Sequence, residues 1–333
     1  MTPPKRRTAR PRKPARPRPR VAKRVAPIET IPLSVGPKPH PALGLGLWGL
    51  GRWRAEDEAR TKATIGRAYE RGIRWFDTAE VYGNGRSERV LGEVLLRAPA
   101  AGADAFVVTK VSWEHLKPNQ VRASVINSLE RLGRHSVDLY LIHAPDPHVP
   151  IAETMETLEV LWKEGRFGAI GVSNFSLEEL EEAARYLKET RIAVNQVRYN
   201  LFDRDEAEPL RDYCAREKIL IEAYTPLARG LLHGRYLDGQ RVPPEVRRFA
   251  AGLFGNDRLP EILERTRALR SLAKEEGVPL ASLALHWLRA QGAAPVVGAS
   301  HPEQVDQNLA AWATRPSADV LRRADAIARG ERA

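Results

Sequence analysis

From Ala42 onward, segments with the composition of β-strands alternate with segments that have the periodicity of α-helices. This order is typical of a parallel α/β fold, in which each helix returns the chain to the start of the next strand. The following eight strands are predicted: Ala42–Leu50, Ile73–Thr78, Ala105–Lys110, Val137–His143, Ala169–Ser173, Ala193–Tyr199, Leu220–Tyr224 and Ala294–Val297. Eight is the number of strands in a closed (β/α)8 TIM barrel.

Helical periodicity fills the intervals between these strands. It predicts helices at Glu56–Arg71, Ser87–Leu96, Asn119–Leu132, Ile151–Glu164, Leu177–Glu189, Glu208–Lys218, Pro260–Glu276 and Leu280–Gln291, and a last helix that begins near His301. A long segment from Arg229 to about Leu259 follows the seventh strand, and we interpret it as a flexible loop over the site. The chain has 333 residues, 43% of them apolar, so we expect one barrel domain over residues 28–333.

Polar side chains stand where three of the predicted strands give way to loops. Asp77 ends one strand and Tyr82 follows it in a glycine-rich loop, whereas Lys110 and His143 end the next two strands. The carboxyl ends of the strands in a parallel barrel share one rim, where such barrels carry their chemistry. We therefore expect these four side chains to converge.

The formal net charge of +11 is concentrated at the N-terminus. Residues 1–24 hold eleven Lys and Arg residues and no acid, which leaves 42 basic and 42 acidic residues in the rest of the chain. Residues 1–27 are also rich in proline, so a disordered tail is predicted. Three interpretations stay open: a solvated extension, a tether for polyanions or membrane surfaces, and a targeting peptide. The tail lacks the apolar region of a secretory signal and any pattern for specific nucleic-acid recognition.

The remaining composition narrows the class of protein. Cys214 is the one cysteine, which excludes an intramolecular disulfide and a multi-cysteine metal site, and it favours a cytoplasmic setting. The sequence has no apolar run long enough for a membrane span. No ligand cluster accompanies Asp77 and His143, so no metal site is predicted.

The four strand-end residues resemble those of the aldo-keto reductase family, whose members place Asp, Tyr, Lys and His in this order on successive strand ends. The resemblance extends from about Ala42 to about Trp312, and other motifs agree with it. They are Gly171-Val172-Ser173-Asn174-Phe175, Asn195-Gln196-Val197-Arg198-Tyr199-Asn200, Ala223-Tyr224-Thr225-Pro226-Leu227, and Gly298-Ala299-Ser300 followed by Pro302-Glu303-Gln304 and Asn308.

The resemblance implies a metal-free reduction of aldehydes and ketones by hydride transfer, with Tyr82 as the general acid. A free phenol has a pKa near 10, and the resemblance assigns Lys110 the role of lowering that pKa. Asp77 is expected to hold Lys110 in place, and His143 to donate a second hydrogen bond to the carbonyl oxygen. Each residue alone has an ordinary structural explanation, but the four in family order, with the flanking motifs, favour catalysis.

The same resemblance implies a nicotinamide cofactor. Ser173, Asn174 and Gln196 match positions that bind the nicotinamide carboxamide, and Tyr224 matches the aromatic side chain that stacks on the nicotinamide ring. The family's loop after the seventh strand contacts the pyrophosphate, and barrels often build a phosphate site there. In this chain that loop contains Leu227, Arg229 and Gly230.

At the adenosine end the chain departs from the commonest family pattern. Gly298 and Gln304 stand where many members carry a lysine and an arginine around the 2′-phosphate, leaving Ala299, Ser300, Gln304 and Asn308. A branch similar to the potassium-channel β subunits and many bacterial reductases has this pattern and takes NADPH. We therefore expect NADP(H), with NAD(H) as the less favoured cofactor.

Two other interpretations are weighed against the reductase. One is an NADPH-binding, redox-sensing regulatory protein similar to the potassium-channel β subunits, which the complete set of four residues disfavours. The other is a dinucleotide-binding Rossmann turn, since Gly44-Leu45-Gly46-Leu47-Trp48-Gly49 fits the G-x-G-x-x-G pattern. This match is weak, because no helix follows it directly.

Trp48 and Trp113 are expected to line the pocket for a small carbonyl substrate. Leu47 stands where a threonine is common in the family. The sequence does not determine the oligomeric state.

Overall fold

Eight parallel strands close into a barrel in chain order, and the last strand along the chain pairs with the first. The computed structural model describes residues 27–49, 57–237, 239–244, 247, 251–255 and 258–331. The barrel strands are β3 (Gly44–Gly46), β4 (Trp75–Asp77), β5 (Phe106–Val111), β6 (Val137–Ile142), β7 (Phe167–Ser173), β8 (Ile192–Arg198), β9 (Leu220–Tyr224) and β10 (Ala293–Gly298). The predicted (β/α)8 barrel is confirmed.

Helices surround the barrel and connect successive strands. The α-helices in the described part of the chain are Glu58–Glu70, Arg86–Leu96, Pro118–Leu132, Ile151–Lys163, Leu177–Ala184, Arg211–Glu217, Ala251–Phe254, Leu259–Glu275, Leu280–Ala290, Pro302–Ala313 and Ala318–Arg329. The 3₁₀ helices are Pro99–Gly102, Trp113–His115, Glu208–Leu210 and Ala228–His233.

The first barrel strand and the fifth predicted helix exceed the observed elements by the most residues. The first barrel strand stops at Gly46, because the chain leaves the sheet after the Leu47 N–H bonds to the Asp77 carbonyl, 2.9 Å away. The helix predicted over Leu177–Glu189 ends at Ala184. The carboxylate of Glu159 accepts hydrogen bonds from the N–H groups of residues 188–190 and so holds that segment in a non-helical path.

The segment from Arg229 to Leu259 is not the continuous loop that the sequence patterns predict. It begins within the 3₁₀ helix Ala228–His233 and contains the short helix Ala251–Phe254. Its remaining residues lie partly outside the described part of the chain. The predicted tail over residues 1–27 also lies outside it, apart from Pro27, as do residues 50–56.

An antiparallel pair of two-residue strands, β1 (Thr30–Ile31) and β2 (His40–Pro41), precedes the barrel and is not predicted by the sequence patterns. Ile31, Leu33 and Val35 pack against the apolar cluster inside the barrel, which includes the first residues of β4, β5 and β9. The pair therefore covers the amino-terminal end of the barrel. Strands this short contain too few residues for a periodic pattern, which explains why they escape prediction.

Strand periodicity sends alternate side chains into the barrel. Trp75, Phe106, Val108, Leu139 and Leu141 form part of the interior cluster, whereas their chain neighbours pack against the surrounding helices. Continuing the same alternation turns the side chains at positions 77, 110 and 143 inward as well. The catalytic candidates thus lie on the inner face, above the apolar floor.

The two glycines of β3 have a packing role. A Cβ atom on Gly44 would lie 2.2–2.7 Å from three ring atoms of Trp75, and one on Gly46 would lie 2.9 Å from Cγ1 of Val296. Both glycines pair in register with β4 and β10. The G-x-G-x-x-G match therefore belongs to a barrel strand that makes room for a buried tryptophan.

We expect Gly44→Ala to lower the free energy of unfolding by about 1–3 kcal/mol, because the methyl group overlaps the Trp75 ring in a packed interior. Gly49→Ala is the matched control, since a methyl group added at Gly49 would have no described atom within 4 Å. It should change stability by less than about 0.5 kcal/mol. Urea unfolding measures both, and equal stabilities of the two variants would contradict the packing argument.

Candidate active site at the barrel mouth

The carboxyl ends of β4, β5 and β6 bring the four predicted catalytic side chains together. Asp77 ends β4, Lys110 lies one residue before the end of β5, and His143 follows β6. Tyr82 lies in the turn before the helix Arg86–Leu96 and is 8% exposed. Lys110 is completely buried and Asp77 nearly so.

Lys110 is the centre of the cluster. Its Nζ donates to both carboxylate oxygens of Asp77 at 2.8 Å and to the Thr78 carbonyl at 2.9 Å. It also lies 3.4 Å from the hydroxyl oxygen of Tyr82. A buried ammonium is stable only when it is paired and hydrogen-bonded, so these contacts account for the burial of Lys110.

Burial and the neighbouring ammonium act on the Tyr82 phenol in opposite directions. Burial raises the pKa of Tyr82 to about 12, although the Lys110 ammonium lowers it. Lys110 thus acts on the phenol in the expected direction, but burial has the larger effect and the net pKa is raised. Removing the hydroxyl from water penalises the phenolate more than one ammonium at 3.4 Å stabilises it.

The His143 ring closes the other side of the cluster. It packs edge-on against Tyr82 and Trp113, with ring centroids 5.6 Å and 5.9 Å away. Burial, together with the nearby Lys110 ammonium, lowers the pKa of His143 to about 3, so the imidazole is neutral. Its Nδ1 is buried without a hydrogen-bond partner among the described residues.

Four of the predicted cofactor residues form a second cluster beside the first. Ser173 donates to the Gln196 carbonyl at 2.8 Å, and Tyr224 donates to Asn174 Oδ1 at 2.8 Å. Asn174 Nδ2 in turn donates to the His143 carbonyl at 2.8 Å. Hydrogen bonds thus connect this cluster to the strand end that carries His143.

The loop after β9 has a strained backbone. The φ angles of Thr225, Ala228 and Arg229 are between 45° and 54°, in the left-handed region that non-glycine residues rarely adopt, and φ of Gly230 is 100°. Such strain is typical of loops that bind ligands. Leu227 is buried below this loop.

The Arg229 guanidinium lies 5.0 Å from the ring centre of Trp48, which is 49% exposed. Trp113 follows β5, packs against His143 and is 45% exposed. Both tryptophans therefore follow barrel strands at the mouth, where the sequence places the substrate pocket. Residues 50–56, which follow Trp48 closely, lie outside the described residues.

Ser300 and Gln304 line a cavity of about 480 Å³. The Ser300 N–H donates to Gln304 Oε1 at 2.7 Å, just before the helix Pro302–Ala313. Asn308 is completely buried, donates to the Gly298 carbonyl at 3.1 Å and contacts His233 Nε2 at 3.1 Å, so it supports the cavity wall. The cavity also has lining residues that the sequence reasoning missed: His233, Arg235, Gln240, His301 and Gln307.

These missed residues carried a usable signal. His233 and Arg235 follow the proposed phosphate loop, and His301 immediately precedes a helix whose N-terminus favours anions. Only the tertiary structure shows that the two segments face one cavity.

The residues present fit a nicotinamide cofactor. His143 Nδ1 and Thr225 Oγ1 are both buried without a hydrogen-bond partner in the described part of the chain. Buried polar atoms are nearly always paired, so such orphans mark places for a ligand or water. By contrast, no cluster of three metal-ligating side chains occurs among the described residues, and no described helix could cross a membrane.

We expect Asp77→Asn to lower the free energy of unfolding by about 3–5 kcal/mol, because it leaves the Lys110 ammonium buried without a counter-charge. The double variant Asp77→Asn with Lys110→Met removes both charges and should be more stable than Asp77→Asn. Chemical denaturation of both variants and of Lys110→Met tests this. A double variant as unstable as the sum of the single variants would contradict the pairing.

Comparison with known proteins places this geometry in a family. The aldo/keto reductase family profile matches residues 42–329. An aldo-keto reductase of Bacillus subtilis is 33% identical over 277 residues, 79% of this chain and 82% of that protein. An NADH-specific methylglyoxal reductase of Escherichia coli is 29% identical over 309 residues, 85% of this chain and 93% of that protein.

A solved structure supports the same family assignment. An aldo/keto reductase from Klebsiella pneumoniae, in complex with NADP and acetate, is 28% identical, covers 89% of this chain and 94% of its own, and superposes with a TM-score of 0.70. The match to the family profile extends over most of the described barrel and includes all four residues at its mouth. This protein therefore belongs to the aldo-keto reductase family of oxidoreductases.

Proposed function

We propose that this protein reduces aldehydes and ketones to alcohols with NADPH, using Tyr82 as the proton donor. The observation that carries the proposal is the position of Lys110 Nζ. It lies between the Asp77 carboxylate, at 2.8 Å, and the Tyr82 hydroxyl, at 3.4 Å. The His143 ring packs against the same tyrosine, and the arrangement opens at the barrel mouth.

Tyr82 holds its proton at neutral pH, since its pKa of about 12 lies far above 7. It can therefore present an O–H group to a carbonyl oxygen, which becomes strongly basic as negative charge develops on it. When the proton leaves Tyr82, the Lys110 ammonium stabilises the phenolate. A nicotinamide held beside Tyr224 would supply the hydride.

His143 is proposed to orient the carbonyl. With a pKa lowered to about 3, the imidazole is neutral and carries one N–H group. That group can donate a hydrogen bond to the carbonyl oxygen without adding a positive charge that would compete with Lys110. His143 Nδ1 has no hydrogen-bond partner among the described residues, so a bound ligand would have to supply that partner.

Ser173, Asn174, Gln196 and Tyr224 would hold the nicotinamide end, and the loop with Leu227, Arg229 and Gly230 the pyrophosphate. The cavity of about 480 Å³ would take the adenosine end. Arg235 lines this cavity with His233 and His301, at the N-terminus of the helix Pro302–Ala313. Positive charge and a helix N-terminus favour a 2′-phosphate, which supports NADPH over NADH.

Two of the three proteins described above differ in cofactor: the Klebsiella pneumoniae reductase is in complex with NADP, and the Escherichia coli methylglyoxal reductase is NADH-specific. Arg235 in the cavity lining and the N-terminus of the helix Pro302–Ala313 are the features of this chain that favour NADPH. The single cysteine, Cys214, is buried and free, in keeping with a cytoplasmic setting. Turnover of a generic aldehyde such as 4-nitrobenzaldehyde separates the reductase from a redox-sensing protein, which would oxidise bound NADPH only once.

Tyr82→Phe should reduce the rate of carbonyl reduction by about 10²–10⁴-fold, because the reaction loses its general acid while the aromatic ring is retained. NADPH affinity should stay within a few fold, since the proposed nicotinamide contacts do not use this hydroxyl. The measurements are single-turnover NADPH oxidation and fluorescence titration of NADPH.

Tyr213→Phe is the matched control for Tyr82→Phe. It removes a tyrosine hydroxyl from the helix Arg211–Glu217, away from the mouth, and should leave the rate unchanged. Turnover by Tyr82→Phe within a few fold of the unmutated protein would mean that water or His143 supplies the proton.

Gln304→Glu should narrow the preference for NADPH over NADH. A glutamate at this position can still accept from the Ser300 N–H, but its charge repels the 2′-phosphate in the shared cavity. Dissociation constants of both nucleotides measure the preference. Gln291→Glu, at the end of the helix Leu280–Ala290, controls for net charge, and equal affinities of the unmutated protein for NADPH and NADH would overturn the assignment.

A further inference from the structure

A line of buried polar groups runs from the catalytic cluster to the floor of the barrel. Gln196 Nε2 lies 2.8 Å from Asp77 Oδ2 and 2.5 Å from Glu222 Oε2. Glu222 Oε1 lies 2.9 Å from His40 Nε2, and His40 Nδ1 lies 2.7 Å from the Pro41 carbonyl. Glu222 and His40 are completely buried. The functions assigned above to the barrel mouth do not use either residue.

The contacts determine how the Gln196 amide is oriented. Both neighbours of Nε2 are carboxylate oxygens, which accept hydrogen bonds, and the amide nitrogen has two N–H groups to donate. Reversing the amide would place its oxygen between two carboxylates. The nitrogen therefore faces Asp77 and Glu222, and the carbonyl oxygen of the amide is left to accept from a ligand.

The hydrogen-bond donors and acceptors around His40 also determine the net charge of the Glu222–His40 pair. The Pro41 carbonyl can only accept, so His40 Nδ1 carries a hydrogen. One further proton lies between His40 Nε2 and Glu222, on either the ring or the carboxyl group. In both cases the pair has zero net charge, so Glu222 adds no uncompensated negative charge beside Asp77.

We propose that Glu222, anchored by His40, is a positioning residue that holds the Gln196 amide in the orientation required for cofactor binding. The amide oxygen is then fixed to accept from the NH₂ group of the nicotinamide carboxamide. At the same time the amide nitrogen donates to Asp77 Oδ2, which keeps that carboxylate aligned with Lys110. The inference rests on the proposed function, because it assumes that NADPH binds at the barrel mouth.

Substitutions at position 222 separate positioning from simple filling of the barrel. In Glu222→Gln, the new amide can donate to neutral His40 Nε2 and accept from Gln196 Nε2, so the orientation of Gln196 is retained. Glu222→Met has a similar volume but can make neither hydrogen bond. Leu220→Ala is the matched control, because it creates a cavity two residues earlier on the inner face of β9.

The experiment is a fluorescence titration of NADPH with each folded variant, with thermal unfolding recorded in parallel. Glu222→Met should weaken NADPH binding by at least about 10-fold, on the scale of one or two lost hydrogen bonds. Glu222→Gln should bind within about threefold of the unmutated protein. Leu220→Ala should lose thermal stability while its NADPH affinity stays unchanged.

Unchanged affinity in Glu222→Met would overturn the positioning role, and so would a Glu222→Gln variant that binds as weakly as Glu222→Met. If Glu222→Met does not fold, Glu222→Asp takes its place, because it withdraws the carboxylate from Gln196 by one methylene. If Glu222→Asp binds NADPH as tightly as the unmutated protein, the positioning role is again overturned. Failure of the unmutated protein to bind NADPH would instead refute the proposed function, and this control is measured first.

Discussion

The buried ion pair between Lys110 and Asp77 is the interaction on which the rest of the site depends. A completely buried ammonium is unfavourable unless its charge and its hydrogens are satisfied, and here two carboxylate oxygens and a backbone carbonyl do this. The pair belongs to neighbouring strands, so its geometry is set by the barrel itself. Tyr82 then needs only the turn after β4 to bring its hydroxyl to the same ammonium.

Burial determines the protonation states at the mouth more strongly than the neighbouring charges do. It raises the pKa of Tyr82 to about 12 and lowers the pKa of His143 to about 3, so both side chains are uncharged at neutral pH. A resting phenol and a neutral imidazole are both suited to donating hydrogen bonds to a carbonyl oxygen. The role proposed for Lys110 is therefore to stabilise the phenolate when it forms, since the resting tyrosine stays protonated.

The buried charges on the inner face of the barrel are also balanced in pairs. Asp77 is balanced by Lys110, and Glu222 is balanced by the proton it shares with His40. The Gln196 amide joins the two pairs, because it can donate one N–H to each carboxylate. A barrel can thus contain two carboxylates within one hydrogen-bonded line without leaving a net charge in an apolar interior.

The sequence by itself determined the alternation of strands and helices, the strand ends that carry Asp77, Lys110 and His143, and the family motifs. These features are local, because they depend on periodicity and on residue order along the chain. It did not determine the end of the helix Leu177–Ala184, which depends on the carboxylate of Glu159 from another element, or the two-residue strands β1 and β2. Only the tertiary structure decided the net shift of the Tyr82 pKa, the shared cavity of His233, Arg235 and His301, and the contact between His40 and Glu222. His40 and Glu222 are 182 positions apart along the chain. Their contact depends on the closure of the barrel, which no local pattern encodes.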